Sequence, residues 1–394
     1  MKGRKWFIAT LLLSALFLGL MAGTIVYVDP YFHYHKPHTD KFYYEMVNQR
    51  SINNGVMRHF DYDAIITGTS LTENFSTSEL DALFGTKSIK VPTSGASYYE
   101  VNNNLQSAIE NNPDIKMIVR CLDTLMYFDA KDKMRNDLGT YPEHLYDDKL
   151  YNDVKYIFNR EIFCDIVVPM IQEKIRGGMP GIDSFDIYSN WYELFDFGVG
   201  VLYPDKELDL SRKGEPIHIS EEEKRIVIEN IEENVCAIAR ENPQIQFYYY
   251  LSPYSAAWWQ GLNETGEIYK YLEAERLVIE HILSCNNIKL FSANTETEIT
   301  ADLNNYKDST HYGPWINSLV LVWMSKDQFL LTEDNYETYL ADMESTYTQY
   351  DYNSLLEQED YDEDSAVAEK LEQMYACKLG DYTKNGTYKR VYYN

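Results

Sequence analysis

The chain is short of positive charge. Its 394 residues carry 35 Lys and Arg against 62 Asp and Glu, a formal net charge of −27. Phosphate backbones are bound by Lys and Arg, so this balance argues against a nucleic-acid partner. Cysteine is also scarce. Five are present, at positions 121, 164, 236, 285 and 377, with no Cys-x-x-Cys pair. None stands with histidine at zinc-ligand spacing, so neither a metal nor any other cofactor is expected. The odd count leaves at least one thiol unpaired in a monomer, and Cys121 and Cys236, in apolar-periodic segments, are expected to be buried. No internal repeat is present. What the chain has in plenty is tyrosine: 35 residues, beside 16 Phe and 6 Trp. Such rings, apolar with a polar tip, suit both cores and sugar-stacking surfaces. A hydrophobic fraction of 45% supports a sizeable core, and the length suits one large α/β domain with insertions, or a core domain with an appendage.

The amino end reads as a membrane signal. Lys2, Arg4 and Lys5 precede an uncharged stretch over 6–28, long enough to cross a bilayer as a helix. Positive residues before it, and none after it until Lys36, orient the amino end inward. No small-x-small cleavage site follows, and the run is long for a signal-peptide core, so an uncleaved anchor is preferred to a cleaved signal. Either way the body is expected outside the cytoplasm. His33, His35 and His38 follow among aromatics, where hydrogen bonding at the membrane interface is expected rather than a metal site.

Residues 29–60 read as a polar, aromatic connector with some helix around 42–49. From 63 onward strands alternate with helices. Strands are expected at 63–68, 87–91, 115–122, 245–251 and 288–291, and helices at 76–83, 98–111, 220–241, 266–284 and 315–329. Ser76 or Thr77 is expected to cap the first of these helices, and Ser220 with Glu223 resembles a helix start. The alternation fails between about 130 and 219, which reads as an insertion or cap. From 332 to the end the chain is acidic and tyrosine-rich, a solvated appendage with helix at 365–374. The alternation predicts a central parallel sheet of about five strands between two layers of helices, an α/β/α sandwich over 61–331. In such sheets chemistry gathers at the carboxyl ends of the strands.

Several candidate residues fall at those ends. Ser70 follows the first strand in Gly68-Thr69-Ser70-Leu71. Gly95 lies in the loop Thr93-Ser94-Gly95-Ala96-Ser97 after the second. Asp123 follows the third, and Tyr254 the fourth, with Trp258 and Trp259 close behind. Asp308-Ser309-Thr310-His311 comes near the end of the folded part. A serine nucleophile needs a base, the base an orienting acid, and the oxyanion N–H donors. Ser70, His311 and Asp308 fit the first three roles. The elbow of α/β-hydrolases is disfavoured, because its second glycine would fall at Thr72. Each residue also has a plainer reading: Ser70 as a turn cap, Asp308 as a helix cap beside an exposed histidine, the aromatics as core.

Gly68-Thr69-Ser70-Leu71 resembles the Gly-Asp-Ser-Leu block of the SGNH/GDSL hydrolases, with Thr69 in place of aspartate. Asp308-Ser309-Thr310-His311 resembles the same family's terminal Asp-x-x-His block, and Gly95 matches its second-block glycine. The resemblance implies a Ser70–His311–Asp308 triad with the N–H groups of Ser70 and Gly95 facing the oxyanion. It departs at the third block, where the family offers asparagine and this chain has Leu122-Asp123-Thr124. With the anchor, the pattern is similar to extracytoplasmic proteins of teichoic-acid D-alanylation and of alginate or peptidoglycan O-acetylation. That implies an esterase or O-acyltransferase acting on a cell-surface glycan or acylated polymer, working beside a multi-pass membrane acyltransferase. A non-catalytic polymer-binding or assembly protein on the same fold is the alternative, and Asp123 favours it.

Overall fold

The structure, a computed structural model, describes residues 2–361 and 364–380. The chain forms two compact units. One contains the chain up to Asp61, Ser107–Pro113 and Asn136–Ser184; the other contains Tyr62–Gln106, Asp114–Arg135 and the described chain from Phe185 onward.

The first unit begins with helix α1, Lys2–Val28, which is long and apolar enough to cross a membrane. Its side chains are exposed from Gly3 to Leu20, and it enters the unit at Met21, with Ile25 and Val28 fully buried. Asp29 then turns the chain with a positive φ of 47°. Its buried carboxylate accepts from the backbone N–H groups of His33, Tyr34 and His35. His33 Nε2 lies 3.3 Å from Asp153, and His35 Nε2 lies 3.0 Å from the Val26 carbonyl. The helix expected around 42–49 is not there. Tyr43–Tyr44 instead pairs in parallel with Gly181–Ile182, and the helix, α2, runs over Gln49–His59. Its start is set by Asn48, whose φ of 62° is left-handed. Ile52 and Val56 are its buried face, and at Gly55 an added Cβ would lie 2.1 Å from the Tyr31 carbonyl oxygen.

The second unit is built on a mainly parallel sheet with helices over it. Its strands are β1 Ala64–Gly68, β2 Ser88–Pro92, β3 Met117–Leu122, β4 Gln246–Leu251, β5 Ile288–Phe291 and β6 Leu330–Leu331. They lie in the order β2-β1-β3-β4-β5-β6. Ile65 stands opposite Ile89 and Ile118, Ile118 opposite Phe247, and Phe247 opposite Ile288, all in parallel register. β1, β2 and β3 are buried along their whole length, as parallel strands covered on both faces must be. The sheet has six strands, not the five expected. The added β6 pairs antiparallel to β5. The helix expected over 315–329 ends at Ser325; Asp327 and Phe329 take φ values of 50° and 59°, which a right-handed helix does not tolerate, and the chain turns back as a strand.

The described helices of this unit that matter here are α3 Thr77–Phe84, α4 Tyr98–Asn111, α5 Glu221–Ile231, α6 Ala256–Thr265, α7 Ile268–Leu283, α8 Pro314–Ser325 and α9 Tyr336–Gln349. Ser76 occupies the N-cap position of α3, but its side chain makes no cap bond. Asp186, from the irregular 185–219 stretch, accepts from Ser78 N–H and Thr77 Oγ1, both at 2.9 Å. A carboxylate serves there because the first N–H groups of a helix lack internal partners. Ser220 and Glu223 form a reciprocal capping box on α5. The helix expected over 220–241 is broken by a π-helical turn at Glu232–Cys236, and the one over 266–284 is preceded by a separate helix, α6, with Gly266 at φ 81° between them. α9 belongs to the acidic C-terminal stretch and buries Tyr339, Leu340, Met343 and Tyr347. Tyr347 stacks on Trp259 at 4.7 Å, and Tyr339 donates to Glu275 Oε1 at 2.6 Å. Burial pushes that Glu275 carboxyl up to about 7, against the lowering effect of the tyrosine bond. The expected helix at 365–374 is Asp364–Tyr375.

The strand order turns around between β1 and β3: from β1 the chain goes first to β2 on one side and then to β3 on the other. Such a point leaves a crevice at the carboxyl ends of the strands.

Candidate active site

Ser70 stands at that crevice. β1 ends at Gly68 with φ +149°, where an added Cβ would lie 2.7 Å from Thr72 Cγ2 and 3.0 Å from Cys121 Cβ. Both the conformation and the space call for glycine. Thr69 is extended, and Ser70–Thr72 forms a 3₁₀ turn closed by the Thr72 hydroxyl on the Thr69 carbonyl at 2.7 Å. The half-buried Ser70 side chain is thereby presented beyond the sheet edge. We expect Gly68→Ala to lose about 1–3 kcal/mol of stability and to misplace Ser70. Calorimetry together with labelling by a serine-reactive probe would check this; unchanged labelling would show that the turn does not place the serine.

His311 reaches Ser70 from a different part of the chain. Tyr306 and Tyr312 form an antiparallel bridge that closes the intervening loop, and Lys307 N–H donates to the His311 carbonyl at 3.0 Å. Ser255, at the start of α6, holds the loop from outside: its N–H and Oγ donate to the Ser309 carbonyl at 3.1 and 2.8 Å. Within the loop, Asp308 Oδ1 accepts from the N–H groups of Thr310 and His311 at 2.9 and 2.8 Å. This Asx turn fixes the carboxylate beside the imidazole. His311 Nδ1 lies 3.0 and 2.9 Å from the two Asp308 oxygens, and Nε2 lies 2.8 Å from Ser70 Oγ. An ionised carboxylate only accepts, so Nδ1 carries the proton and Nε2 is free to accept from the serine hydroxyl. Burial works to raise the Asp308 carboxyl, but the hydrogen bond and charge of His311 and the two backbone N–H groups outweigh it. The net result holds it well below the usual carboxylate range.

The structure also places the other sequence candidates. Gly95 is in the loop after β2, half-buried, with a left-handed φ of 63°. That loop runs beside the serine turn, since Thr93 N–H donates to the Gly68 carbonyl at 2.9 Å. Asp123 follows β3 and is buried. Its Oδ1 accepts from the Tyr254 hydroxyl and from Leu125 N–H, the latter at 3.2 Å, and its Oδ2 accepts from Thr69 Oγ1 at 3.1 Å. Burial raises this carboxyl, opposed by those three donors. Tyr254 is itself buried, edge-on to Trp258 at 4.9 Å. Asp123 and Tyr254 thus form a buried polar pair behind Thr69, beside the nucleophile's own turn.

Two residues at the site carry no recognisable pattern in the sequence. Trp191, from the irregular stretch, donates its indole N–H to the Ser70 carbonyl at 3.0 Å and meets the His311 ring edge-on at 5.6 Å. It is itself fixed by its backbone N–H on Asn74 Oδ1 at 3.0 Å, and Lys307 Nζ sits 4.5 Å over its ring. The second is Lys90. Its fully buried ammonium donates to the carbonyls of Glu73 and Phe75 at 2.5 and 2.7 Å and to Asn190 Oδ1 at 2.6 Å. It joins the turn that follows Ser70 to the residue before Trp191. The signal available was a lysine in the middle of an otherwise apolar strand, Ser88-Ile89-Lys90-Val91. For Trp191→Phe we expect a loss of about 1 kcal/mol, one hydrogen bond's worth, with slower probe labelling of Ser70. Labelling at the wild-type rate would reduce Trp191 to packing.

Among the described residues no group of three or more His, Cys, Asp or Glu side chains is placed to hold a metal ion. All five cysteines are free thiols, with Cys121, Cys236 and Cys285 buried.

No protein-family model matches the chain, and no curated protein matches it. A solved structure from Streptococcus pneumonia, provisionally described as a platelet activating factor, aligns with 71% of this chain and 91% of its own. The identity is 11% and the TM-score 0.34. A likeness at that level carries no argument, so the chemistry is read from the site itself.

Proposed function

We propose that this chain is a serine esterase or O-acyltransferase of SGNH type, held to a membrane by α1 with its body outside the cytoplasm. Its substrate in this reading is an acyl ester of a cell-surface glycan or related polymer. The observation that carries the reading is the hydrogen-bonded series Ser70 Oγ, His311 Nε2, His311 Nδ1, Asp308, with contacts of 2.8 and 2.9 Å.

In this mechanism His311 Nε2 takes the hydroxyl proton as Ser70 Oγ attacks the acyl carbonyl carbon. The imidazolium that forms is stabilised by ionised Asp308, which keeps its own proton off. The tetrahedral oxyanion meets the N–H groups of Ser70 and Gly95. As it collapses, the alcohol oxygen leaves with the proton from Nε2, and the acyl group remains on Ser70. Water or a glycan hydroxyl then attacks, with His311 again as base, giving hydrolysis or transfer. In the transfer version a multi-pass membrane acyltransferase supplies the acyl group. Asp123 offers the oxyanion no amide donor, since its side chain has no N–H, and its oxygens are already taken up as acceptors from Tyr254, Leu125 and Thr69. Compared with the SGNH pattern, the acid of the first block and the amide of the third are replaced by Thr69 and Asp123, which bond to each other. The oxyanion donors in this chain are therefore backbone groups.

A fluorophosphonate probe should label Ser70, and the full-length protein should release acyl groups from acylated surface glycan. Asp308→Asn should slow both by about 10³–10⁴, since the amide NH₂ can donate to Nδ1 and favour the wrong tautomer, and a neutral amide does not stabilise the imidazolium. Because the Asp308 carboxyl is held low, lowering the pH to 5 should leave it ionised, so any loss of rate there must come from another group. A wild-type protein that resists the probe and releases nothing would favour the polymer-binding or assembly reading on the same fold.

A further inference from the structure

We propose that a second segment of the first unit, residues 150–179, lies in the bilayer interface around the foot of α1. This makes the unit a lipid-seated platform and not a tethered body. The inference rests on the reading of α1 as a membrane helix and goes beyond it.

The length of α1 sets the level. Its exposed part, Gly3 to Leu20, is followed at Met21 by the turns that the unit covers. At ~1.5 Å per residue the exposed part is about 27 Å long, against a hydrocarbon core of about 30 Å. The hydrocarbon boundary therefore falls where protein begins to sheathe the helix.

The sheathing is done by the segment in question. Helix Val154–Ile157 is bonded to the chain as it leaves α1: the Tyr156 hydroxyl donates to Asp29 Oδ1 at 2.9 Å and accepts from Tyr31 N–H at 3.2 Å. The Tyr34 hydroxyl donates to Asp153 at 3.0 Å. The π-helical turn Ile162–Val167 packs against α1 and leads into helix Val168–Ile175. Both pieces are rich in apolar residues, and Val168–Ile175 has no fully buried side chain.

Water is the wrong solvent for what the segment shows. Leu150, Tyr151, Ile175 and Met179 are 78, 75, 79 and 85% exposed, with Val154 and Phe158 at 50 and 45%. Single exposed apolar side chains need no explanation, but several large ones around the foot of a membrane helix do. Lys155, Arg160, Lys174 and Arg176 are interspersed with them, as are the exposed Glu161, Asp165 and Glu173, so the segment carries no net charge; Lys174 lays its chain over the Phe42 ring at 4.6 Å. Exposed apolar side chains with long Lys and Arg chains between them can seat in the headgroup layer while their charged ends stay in water. Charge agrees. The first unit has nearly equal numbers of basic and acidic residues, so almost all of the −27 falls on the other unit. Of the two, only the first can approach an anionic leaflet without repulsion.

The test uses full-length protein in phosphatidylcholine–phosphatidylglycerol vesicles whose acyl chains carry bromine near the headgroup, to report positions 175 and 179, or near the chain end, to report position 12 at the middle of the bilayer. Cys164→Ser and Cys377→Ser remove the accessible thiols. Ile175→Cys, Met179→Cys and, as a marker of α1, Leu12→Cys are then labelled singly with an environment-sensitive fluorophore. All three positions are solvent-exposed, so the fold should survive labelling. Labels at 175 and 179 should lose about half their emission relative to unbrominated vesicles, as for side chains seated 5–10 Å into the interface. Quenching at 12 with full emission at 175 and 179 would overturn the proposal and leave the anchor standing. Full emission at all three would overturn both. Labels at 175 and 179 that respond to an added multi-pass acyltransferase but not to brominated lipid would show a protein-docking surface instead, and would also overturn it.

Discussion

Ser70→Ala is expected to abolish ester cleavage or acyl transfer, by a factor on the order of 10⁴ or more, with the fold intact. The serine side chain is half-buried, its hydroxyl lies 2.8 Å from His311 Nε2, and its backbone is set by the turn after Gly68 and by Trp191. Removing the oxygen therefore deletes the nucleophile and little else, and stability should change by less than ~1 kcal/mol. His311→Ala should fall to a similar level. The double variant should be no worse than either single one, because the residues act as a unit and removing one member disables the rest. The rates would be measured on acylated surface glycan and on a small activated ester, with circular dichroism to confirm folding. A Ser70→Ala protein with full activity would end the enzyme reading.

Lys90→Met is expected to have the largest effect on stability, about 3 kcal/mol at pH 7, because it leaves two buried carbonyls and the half-buried Asn190 amide oxygen without this donor. Those oxygens belong to Glu73, Phe75 and Asn190, so the loss should also loosen the turn after Ser70 and the approach of Trp191. The pH dependence separates this residue from a generic core defect. Burial pulls the Lys90 ammonium down from 10.5 to about 7, opposed only in part by Asp186 and Glu73. The folded protein thus releases this proton near pH 7, while the unfolded chain keeps it until about 10.5. Between those values the unfolded state binds more protons, so this group makes stability rise with pH. From pH 7 to 9 the gain is about 2 kcal/mol. It should be present in the wild type and missing in Lys90→Met. Denaturant unfolding at the two pH values would measure it, and an equal rise in both proteins would show that the ammonium is not the source.

The strands and the site differ in how far the sequence reveals them. β1, β2 and β3 are visible because a parallel strand buried on both faces must be a short, mostly apolar run; β4 and β5, half-exposed at Gln246, Tyr248 and Lys289, are visible as short runs rich in aromatic and aliphatic residues; each run is bounded by a polar or proline-containing loop. Ser70, Gly95 and Asp123 were visible as site candidates for the same reason: they follow such runs directly. Asp308 and His311 were visible as a pair because three residues of spacing bring a carboxylate to an imidazole within one turn. Local energetics decide all of these.

What the sequence could not show is decided by contacts between residues far apart along the chain. β6 exists because two left-handed residues, Asp327 and Phe329, end α8 early, and nothing in their side chains announces that φ. The cap of α3 is Asp186, more than a hundred residues away, in place of the adjacent Ser76. Trp191 and Asn190 come from a stretch with no periodicity, since a segment that packs by individual side chains needs none. Asp123 is legible in the sequence as a departure from the family's asparagine; its three donors, Tyr254, Leu125 and Thr69, are known only once β1, β3 and β4 lie side by side. Sequence by itself determined the central strands, most of the helices beside them, an N-terminal helix long and apolar enough to span a membrane, and the order of the candidate residues, because burial and apolar patterning act over a few residues. The tertiary structure alone decided which candidates touch, because a hydrogen bond between Ser70 and His311 spans 241 positions of chain and depends on every turn of the fold between them.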